Sequence, residues 1–391
     1  MKILMLLESE FPHDVRVENE INALTKAGHE IHLACFTKKG RPEKDRFGDA
    51  VIHRRSVSPF IYRSSVASLK FPFYFNFWRK YLLNLLSGER FDAIHVHDLP
   101  LSRIGTEIKE MYDIPLVIDL HENWPDLLSI SPHTRTILGR FLCSIKQWKS
   151  YEKKYLQYAD RIIVVVSEAG ERLMEFSVPE HKIVVVSNTM NISEFRRKEG
   201  SAKNEQGKKI LIYEGGITFH RGIQYVLRAL EKIRHAAADI EFRIVGTGKY
   251  EKNLRTLSSK LGLNEMVRFY GWQSQEKVYD LLGEADLAVI PHIKSSHTDT
   301  TIPHKLFHYM YAGIPILSSN CAPLERIINE TSSGYVYQYD NVDELADKIK
   351  SLLISGSLSK QVNGREWVIS KYNWDSDKRR LLDLYDRLGK A

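Results

Sequence analysis

The chain of 391 residues has few cysteines and no long uninterrupted hydrophobic run. Cys35, Cys143 and Cys321 are too few and too scattered for a disulfide framework or a zinc knuckle, which favours a reducing compartment. A hydrophobic content of 43% with 27% charged residues excludes a disordered or collagen-like chain. The length predicts two or three domains, since a domain usually has about 100–200 residues.

The two longest apolar stretches do not predict export or a membrane span. The N-terminal run, residues 3–7, meets Glu8 and has no small-residue cleavage site after it. The stretch 71–86 is interrupted by Arg79 and Lys80. We therefore expect a protein of the cytoplasm, either soluble or peripheral at the inner face of a membrane.

Positive charge is concentrated in one part of the chain. The net charge is +7, and residues 37–90 contain twelve Lys and Arg against four acidic residues. Aromatic residues alternate with these cations over residues 54–81, which suits an anionic membrane surface or a lipid-linked anionic ligand. The alternative is a solvated basic face with its aromatics turned into the core. No signature of a nucleic-acid-binding module occurs, so we expect no nucleic acid partner.

Short apolar runs alternate with amphipathic segments of helical length in both halves of the chain. This pattern predicts an α/β protein with two doubly wound, mostly parallel sheets. We predict residues 1–190 as a first Rossmann-like domain, 191–208 as a linker and 209–375 as a second Rossmann-like domain. Residues 376–391 are predicted as a helix that can pack back on the first domain. Such domains bind ligands at the carboxyl ends of their strands, here across a cleft.

Two segments of the second domain have the features of a phosphate site. Gly215 and Gly216 follow a predicted strand, and Arg221 precedes a predicted helix; glycines admit an anion close to the backbone, and Arg offers a fork of donors. Further along, Thr300 or Thr301 is predicted to cap a helix with Lys305 one turn inside. His308 then shares a face with Lys305. Two tight turns with surface cations are the structural alternative, but together the segments favour a diphosphate site.

Two more loops follow strands of the second domain. They contain Gly246 and the run Gly271-Trp272-Gln273, and a glycine there exposes main-chain groups to a ligand such as a nucleobase. In the first domain His121 and Glu122 follow a strand and are candidate contacts for a sugar or a leaving group. Asp14 and Arg16 add an acid and a base after the first strand.

His95 and His97 alternate along another predicted strand, so their side chains share one face. A pair of histidines is a common start of a metal site. No third ligand is evident at metal spacing, so we predict no metal.

Taken together, these motifs resemble those of the retaining glycosyltransferase family 4, whose members have the GT-B fold of two facing Rossmann-like domains. The resemblance implies transfer of a sugar from a nucleotide diphosphate, probably UDP or GDP, to an acceptor hydroxyl, with retention of configuration and no metal or other cofactor. Cell-surface polysaccharide or glycolipid synthesis is the expected setting. The resemblance rests on these segments: Asp14-Val15-Arg16-Val17, Asp119-Leu120-His121-Glu122, Gly215-Gly216, Arg221-Gly222, Gly246-Thr247-Gly248, Phe269-Tyr270-Gly271 and residues 303–315.

The resemblance implies that the first domain binds the acceptor and the second domain binds the nucleotide sugar, and roles carry over from the family to matching positions. Arg221 and Lys305 resemble the pair that neutralises the donor diphosphate, and the backbone at Thr301 and Ile302 would hold its phosphates. The loop 271–273 would contact the base, and His121 resembles the histidine that touches the donor sugar or the acceptor.

The chain departs from the family at the helix that contains Lys305. The family has two glutamates eight positions apart, where Thr300 and His308 stand here. The second glutamate holds the ribose hydroxyls, and His308 can still hydrogen-bond to them. Two other functions stay open on this scaffold: a nucleotide-sugar epimerase, and a catalytically silent subunit that binds a nucleotide sugar.

Overall fold

A computed structural model describes residues 1–12, 14–131, 134, 136–195, 207–237, 239–355 and 363–389. The chain divides into two compact units: unit 1 comprises Met1–Ser187 and Asp377–Ala391, and unit 2 comprises Asn188–Ser376. Most of the predicted linker, residues 196–206, lies outside the described residues. Within the described part of the chain, no helix combines the length and hydropathy that a membrane span requires.

Unit 1 is built on an eight-stranded sheet in the order β3-β4-β2-β1-β5-β6-β7-β8. All neighbours are parallel except β3 and β4, which form an antiparallel pair. The central strands are buried on both faces, as expected of near-continuous apolar runs. The strands are β1 Lys2–Leu7, β2 Glu30–Thr37, β3 Lys44–Phe47, β4 Ala50–Ser56, β5 Ala93–His97, β6 Leu116–Leu120, β7 Arg161–Val164 and β8 Ile183–Val185.

Helices connect these strands. They are α1 Val15–Lys26, α2 Pro59–Ser64, α3 Phe73–Leu86, α4 Ser102–Tyr112, α5 Trp124–Ile130, α6 Ile137–Leu142, α7 Ile145–Leu156 and α8 Ser167–Glu175. The last helix of the chain, α16 Trp374–Leu388, contributes its residues from Asp377 onward to unit 1. There, the Asp377 carboxylate accepts a hydrogen bond from the Ser187 N–H at 2.9 Å.

Unit 2 has a six-stranded, fully parallel sheet in the order β11-β10-β9-β12-β13-β14. Its strands are β9 Lys209–Glu214, β10 Ile240–Val245, β11 Val267–Gly271, β12 Leu287–Ile290, β13 Ile316–Ser319 and β14 Gly334–Tyr337. Its helices are α9 Ile223–Ile233, α10 Glu251–Lys260, α11 Gln275–Gly283, α12 Lys305–Ala312, α13 Ala322–Thr331, α14 Val342–Leu353 and α15 Gly364–Ser370. The predicted fold class, two α/β domains with doubly wound sheets, is confirmed.

The structure shows where the aromatic side chains of the basic stretch 37–90 lie in unit 1. Its side chains are divided between the core and the surface: Tyr74, Phe75 and Trp78 on α3 are buried, whereas Phe60 and Phe73 are exposed. The stretch also contributes the strands β3 and β4, which the sequence reading missed. Both strands carry many charged residues, so they lack the apolar run by which the other strands were found.

The C-terminal helix is fixed in unit 1 by a buried polar contact. The Tyr385 hydroxyl lies 2.8 Å from Nδ1 of His95 on β5, and both side chains are buried. Since burial lowers the pKa of His95, the neutral imidazole is the stable form there.

Replacing Tyr385 by Phe tests this contact. We expect Tyr385→Phe to lower the free energy of unfolding by about 1–3 kcal/mol, because a buried imidazole nitrogen loses its partner. Tyr112→Phe, at an exposed position of α4, is the matched control and should leave stability unchanged. Equal melting temperatures for Tyr385→Phe and the control in thermal denaturation would contradict this account.

Candidate functional site

The loops that follow β9, β10 and β11 lie side by side at one edge of the sheet, because these strands are parallel neighbours. The Gly215 N–H donates to the Val245 carbonyl at 2.8 Å, and the Gly246 N–H donates to the Gly271 carbonyl at 2.7 Å. Gly215 and Gly246 have φ values of 113° and 128°, a backbone conformation that residues with a side chain rarely adopt. A Cβ on Gly246 would lie 2.1 Å from the Gly215 carbonyl oxygen, so the glycine permits this close approach.

Lys305 is the most unusual group at this edge of the sheet. It is the first residue of α12, and its side chain is buried, yet Nζ has no hydrogen-bond acceptor among the residues that the structure describes. Nζ lies 3.6 Å from the centre of the Tyr213 ring and would be 3.0 Å from a Cβ on Gly215. Burial, reinforced by the charge of Arg221, lowers the pKa of Lys305 well below its ordinary value. A buried ammonium without an acceptor is costly, and an anion would satisfy it.

Arg221 brings a second cation to the same edge. Its Nη1 donates to Nε2 of His292, which follows β12, at 3.1 Å. Burial and the charges of Arg221 and Lys305 lower the pKa of His292 well below its ordinary value, so it is a neutral acceptor. Gly222, at φ 73°, lets this segment approach β12, since a Cβ there would lie 1.6 Å from the Pro291 carbonyl oxygen. The structure thus brings Arg221 and Lys305 together, although they are far apart in sequence.

Glu214 is a site residue that sequence reasoning missed. It ends β9, and its Oε1 lies 2.7 Å from Nδ1 of His308 on α12. Burial alone would raise the pKa of Glu214, but His308 and Lys305 hold it below its ordinary value. Its backbone N–H donates to the Tyr309 hydroxyl at 2.8 Å. Its position directly before the two glycines was the available signal.

The start of α12 differs from the prediction. Neither Thr300 nor Thr301 caps it: the helix begins at Lys305, and its N-terminal flanking residue is His304. The Thr300 hydroxyl instead donates to the Ser296 carbonyl at 2.7 Å, closing a turn that precedes the helix. Lys305 therefore lies at the first residue of the helix rather than one turn inside. The prediction that Lys305 and His308 share a face holds, since they are three residues apart in α12.

The remaining predicted nucleotide contacts lie around this edge. Gly216 lies beside Gly215, and its carbonyl accepts a hydrogen bond from the Tyr213 hydroxyl at 2.8 Å. Ile302 is buried, and its carbonyl accepts from the Asn188 amide at 3.3 Å. Thr301 precedes it.

The loop after β11 presents a large aromatic surface. Gly271 turns the chain at φ 67°, and the Trp272 side chain is 76% exposed. The Gln273 amide donates to the Tyr270 carbonyl at 2.7 Å. An exposed indole next to strand-end backbone groups can stack on a planar ring such as a base.

In unit 1 a buried network is centred on Asp119 at the end of β6. Arg16 on α1 donates to both carboxylate oxygens of Asp119, from Nη2 at 2.8 Å and from Nε at 3.1 Å. Its Nη1 donates to the Val186 carbonyl at 2.9 Å, and its Nε lies 3.1 Å from the Glu20 carboxylate. The structure thus places Arg16 in the interior, where it holds β6 against α1.

His121 lies at the exposed end of this network. Its Nε2 is 2.9 Å from Oδ2 of Asp119, and its backbone N–H donates to the Asp98 carboxylate at 3.3 Å. Burial alone would lower the pKa of His121, but Asp119 and Asp98 raise it from 6.5 to about 9. His121 is therefore a cation at neutral pH, and it can donate a hydrogen bond to a substrate oxygen or stabilise developing negative charge.

Three further acidic residues of unit 1 lie in loops that follow β1 and β6: the predicted residues Asp14 and Glu122, and Glu8. The Asp14 carboxylate accepts from the Val17 N–H at 3.3 Å and caps α1. Glu122 is half-buried beside His121. Glu8, which directly follows β1, is half-buried, and desolvation raises its pKa to about 8, so it is a carboxylic acid that titrates near neutral pH.

Two acidic side chains, Glu20 and Asp119, lie next to the paired histidines His95 and His97, which the sequence did not reveal. The rings of His95 and His97 stack with their centres 4.4 Å apart, and Glu20 and Asp119 lie within 4.8 Å of them. These four side chains have the donor atoms of a metal site. The guanidinium of Arg16, however, already pairs with both carboxylates, and it supplies positive charge at the same place.

Two family models together match almost the whole chain. The model described as Glycosyltransferase Family 4 matches residues 14–194. The model described as Glycosyl transferases group 1 matches residues 193–365, a range that includes Arg221 and Lys305.

Curated relatives carry related descriptions. The chain is 26% identical over 324 residues to an uncharacterized glycosyltransferase of Methanocaldococcus jannaschii, covering 78% of this chain and 77% of that protein. It is 24% identical over 217 residues to a putative colanic acid biosynthesis glycosyltransferase of Salmonella typhimurium, covering 54% and 53%.

Solved structures share the fold over the full length. A sucrose-phosphate synthase from Thermosynechococcus elongatus superimposes with a TM-score of 0.81 at 16% identity, covering 100% of this chain and 99% of that one. The Anabaena protein HepE, solved in complex with UDP, gives a TM-score of 0.74 at 14% identity, covering 99% and 100%. At these identities the likeness establishes the fold alone.

The unpartnered ammonium of Lys305 leads to a stability prediction. We expect Lys305→Met to raise the free energy of unfolding by about 1–3 kcal/mol, because a buried cation without an acceptor is replaced by an apolar chain. Inorganic diphosphate should raise the melting temperature of the wild type and not that of Lys305→Met. Lys252→Met, at an exposed position of α10, is the control. A destabilised Lys305→Met protein that still responds to diphosphate would contradict the site.

The raised pKa of His121 predicts a pH dependence. The folded form holds this proton more tightly than the unfolded chain, so the stabilisation is complete below pH 6.5 and is lost as the pH rises through about 9. We expect the difference in unfolding free energy between wild type and His121→Gln to fall by up to about 3 kcal/mol over this range. Chemical denaturation at several pH values measures it, and a difference that stays constant with pH would refute the assignment.

Proposed function

Because the chain belongs to the family 4 glycosyltransferases, which carry the group 1 domain, we propose that it transfers a sugar from a nucleotide diphosphate to an acceptor hydroxyl. The donor is a UDP- or GDP-sugar, and the product retains the anomeric configuration. The observation that carries the proposal is the buried, acceptor-free ammonium of Lys305 next to Arg221. This arrangement fits a ligand that brings at least two phosphate charges.

The cations fit the charge that develops during transfer. As the glycosidic bond breaks, the electron pair stays on the oxygen of the leaving diphosphate, which gains negative charge. Arg221 and Lys305 hold that charge in a buried place where it is weakly screened, and they are in position before the reaction. In this proposal the departing phosphate oxygen accepts the acceptor proton, so the protein supplies no strong base.

Residues near Arg221 and Lys305 are the proposed contacts of the base, the phosphates and the ribose. In this proposal the backbone of Gly246, Gly271 and Gln273 contacts the base and Trp272 stacks on it, while the backbone at Thr301 and Ile302 holds phosphate oxygens. His308 hydrogen-bonds to the ribose hydroxyls. The Glu214 carboxylate 2.7 Å from Nδ1 supports this assignment, because it fixes the imidazole so that Nε2 faces away from the strand.

His121 acts on the sugar or acceptor from unit 1. Its positive charge at neutral pH supports a role as a hydrogen-bond donor rather than a base. Arg16 acts through Asp119, which holds His121 in its orientation. We propose Glu122 as a further polar contact for the acceptor, and Asp14 as a residue that positions α1.

The setting of the reaction is the synthesis of a cell-surface polysaccharide or glycolipid at the inner face of a membrane. The relative described for colanic acid biosynthesis supports a polysaccharide product. The exposed aromatics of the basic stretch, including Phe60 and Phe73, support contact of residues 54–81 with an anionic membrane surface.

Removing either cation tests the function. We expect Lys305→Ala and Arg221→Ala each to reduce transfer by at least about 100-fold, the usual cost of losing one group that stabilises the leaving charge. The measurement is nucleotide release from a panel of nucleotide sugars with a lipid extract as the source of acceptor. Lys252→Ala should keep the wild-type rate.

The outcomes separate the proposal from its two alternatives. Full activity in both cation variants would refute the diphosphate assignment. Conversion of the donor in the absence of acceptor, followed by NMR, would identify an epimerase. Nucleotide binding by calorimetry without turnover over many acceptors would identify a silent subunit.

A further inference from the structure

A second concave site lies within unit 1 and is lined by positive charge. Its volume is about 630 Å³, and it is bordered by the segment before α3 and by α4, α6 and α7. Five basic side chains and no acidic one line it: Lys70, Arg103, Arg140, Lys146 and Lys154. Like charges in one cavity repel each other, so an anion that enters this cavity lowers the repulsion.

Several of these cations are available to a ligand. Arg103 is paired with Glu107, with Nε 3.0 Å from Oε1. Within the described residues, Arg140 and Lys146 form no ion pair. The Lys70 ammonium lies over an aromatic face, with Nζ 3.8 Å from the centre of the Phe141 ring.

The walls of this cavity are held by buried contacts. The Tyr151 hydroxyl on α7 donates to the Pro100 carbonyl at 2.8 Å and accepts from the Arg103 N–H at 2.9 Å. The Tyr151 ring stacks parallel to that of Phe75 on α3, with their centres 6.3 Å apart. These contacts tie α7, which carries Lys146 and Lys154, to the start of α4, which carries Arg103, and to α3.

An exposed apolar patch adjoins the basic cavity. The rings of Phe60 and Phe73 lie 5.4 Å apart, and Phe71 stacks on Phe73 at 6.2 Å. Lys70 links this group to Phe141, so cavity and patch share a border. Phe60 is 63% exposed and Phe141 62%, while Ile137 of α6 is 91% exposed. Clustered exposed aromatics are typical of a surface that contacts a partner or a lipid.

We propose that this cavity binds the phosphate of a phosphorylated lipid, whose hydrocarbon chain lies on the patch of Phe60, Phe71, Phe73, Ile137 and Phe141. Cations and aromatics side by side match an amphiphile with an anionic head and an apolar tail. A soluble phosphate would leave the patch without a partner. That the lipid is the acceptor rests on the proposed function; that the cavity binds it does not.

Calorimetry with three probes below their micelle concentrations tests the ligand class. Dodecyl phosphate should bind at least about tenfold more tightly than inorganic phosphate, which lacks the tail, and than dodecyl maltoside, which lacks the charge. Equal affinity for inorganic phosphate would overturn the lipid assignment. Equal affinity for dodecyl maltoside would overturn the phosphate assignment.

Matched variants locate the site. Arg140→Glu with Lys146→Glu should weaken dodecyl phosphate at least about tenfold, whereas Lys26→Glu with Arg90→Glu, the same charge change at exposed positions of unit 1, should not. Phe60→Ser with Phe141→Ser should weaken it more than Met111→Ser with Met174→Ser, two exposed methionines of unit 1. Equal effects in either pair would overturn the proposal.

UDP binding, measured on the same proteins, separates the two proposals. In the proposed function it depends on Lys305 and Arg221 in unit 2, so the unit 1 variants should retain it, and a melting temperature close to that of the wild type shows that they are folded. Absence of UDP binding in the wild type, together with the expected lipid results, would refute the proposed function and leave the lipid site standing.

Discussion

The burial of the Lys305 ammonium without an acceptor is the constraint around which the edge of the unit 2 sheet is organised. Gly215 provides the space for Nζ because it has no side chain, and the Tyr213 ring covers one side of it. Glu214 is the nearest negative charge, but its carboxylate is engaged by His308. The fold thus buries an amine that no oxygen atom of the described residues satisfies. A phosphate group has the charge and the acceptor atoms that are missing.

Unit 1 solves the same physical problem in the opposite way. Its buried Arg16 is matched by Asp119 and Glu20 within the fold, so it needs no ligand. Burial and the charge of Asp119 hold the pKa of Glu20 well above its ordinary value, whereas Arg16 and His121 hold the pKa of Asp119 well below its own. The part of the network that reaches toward solvent is His121. A matched network is suited to orienting a side chain, whereas an unmatched cation is suited to binding.

The sequence predicted the parts of this structure that depend on local pattern. Apolar runs of strand length identified the central strands of both sheets, because parallel strands are buried on both faces. The glycines after β9, β10 and β11 and the two cations were identified by residue type. The strand β3 was missed because Lys44–Phe47 is charged and exposed. The strand β4 was missed because its apolar run is only three residues long and is followed by His53, Arg54 and Arg55. The start of α12 was misplaced because Thr300 closes a turn of its own instead of capping the helix.

Contacts between distant residues were beyond reach of the sequence. The pairing of Glu214 with His308 and that of Arg16 with Asp119 join positions about a hundred residues apart, and no spacing rule connects them. The same holds for the cavity of unit 1, whose cations come from segments before α3 and around α4, α6 and α7. The basic and aromatic composition of residues 54–81 indicated an anionic partner, but Arg140, Phe141 and Lys146 lie outside that stretch.

Proton uptake on nucleotide binding tests the central claim most directly. If an anion meets the ammonium of Lys305, the lowered pKa of this group must rise on binding, and the protein takes up protons at pH values where the free form has lost part of its charge. Calorimetry of UDP binding in buffers of different ionisation enthalpy, repeated at several pH values, measures this uptake. The account predicts a net proton uptake by the wild type that is absent in Lys305→Met; identical proton exchange in the wild type and the variant would contradict it.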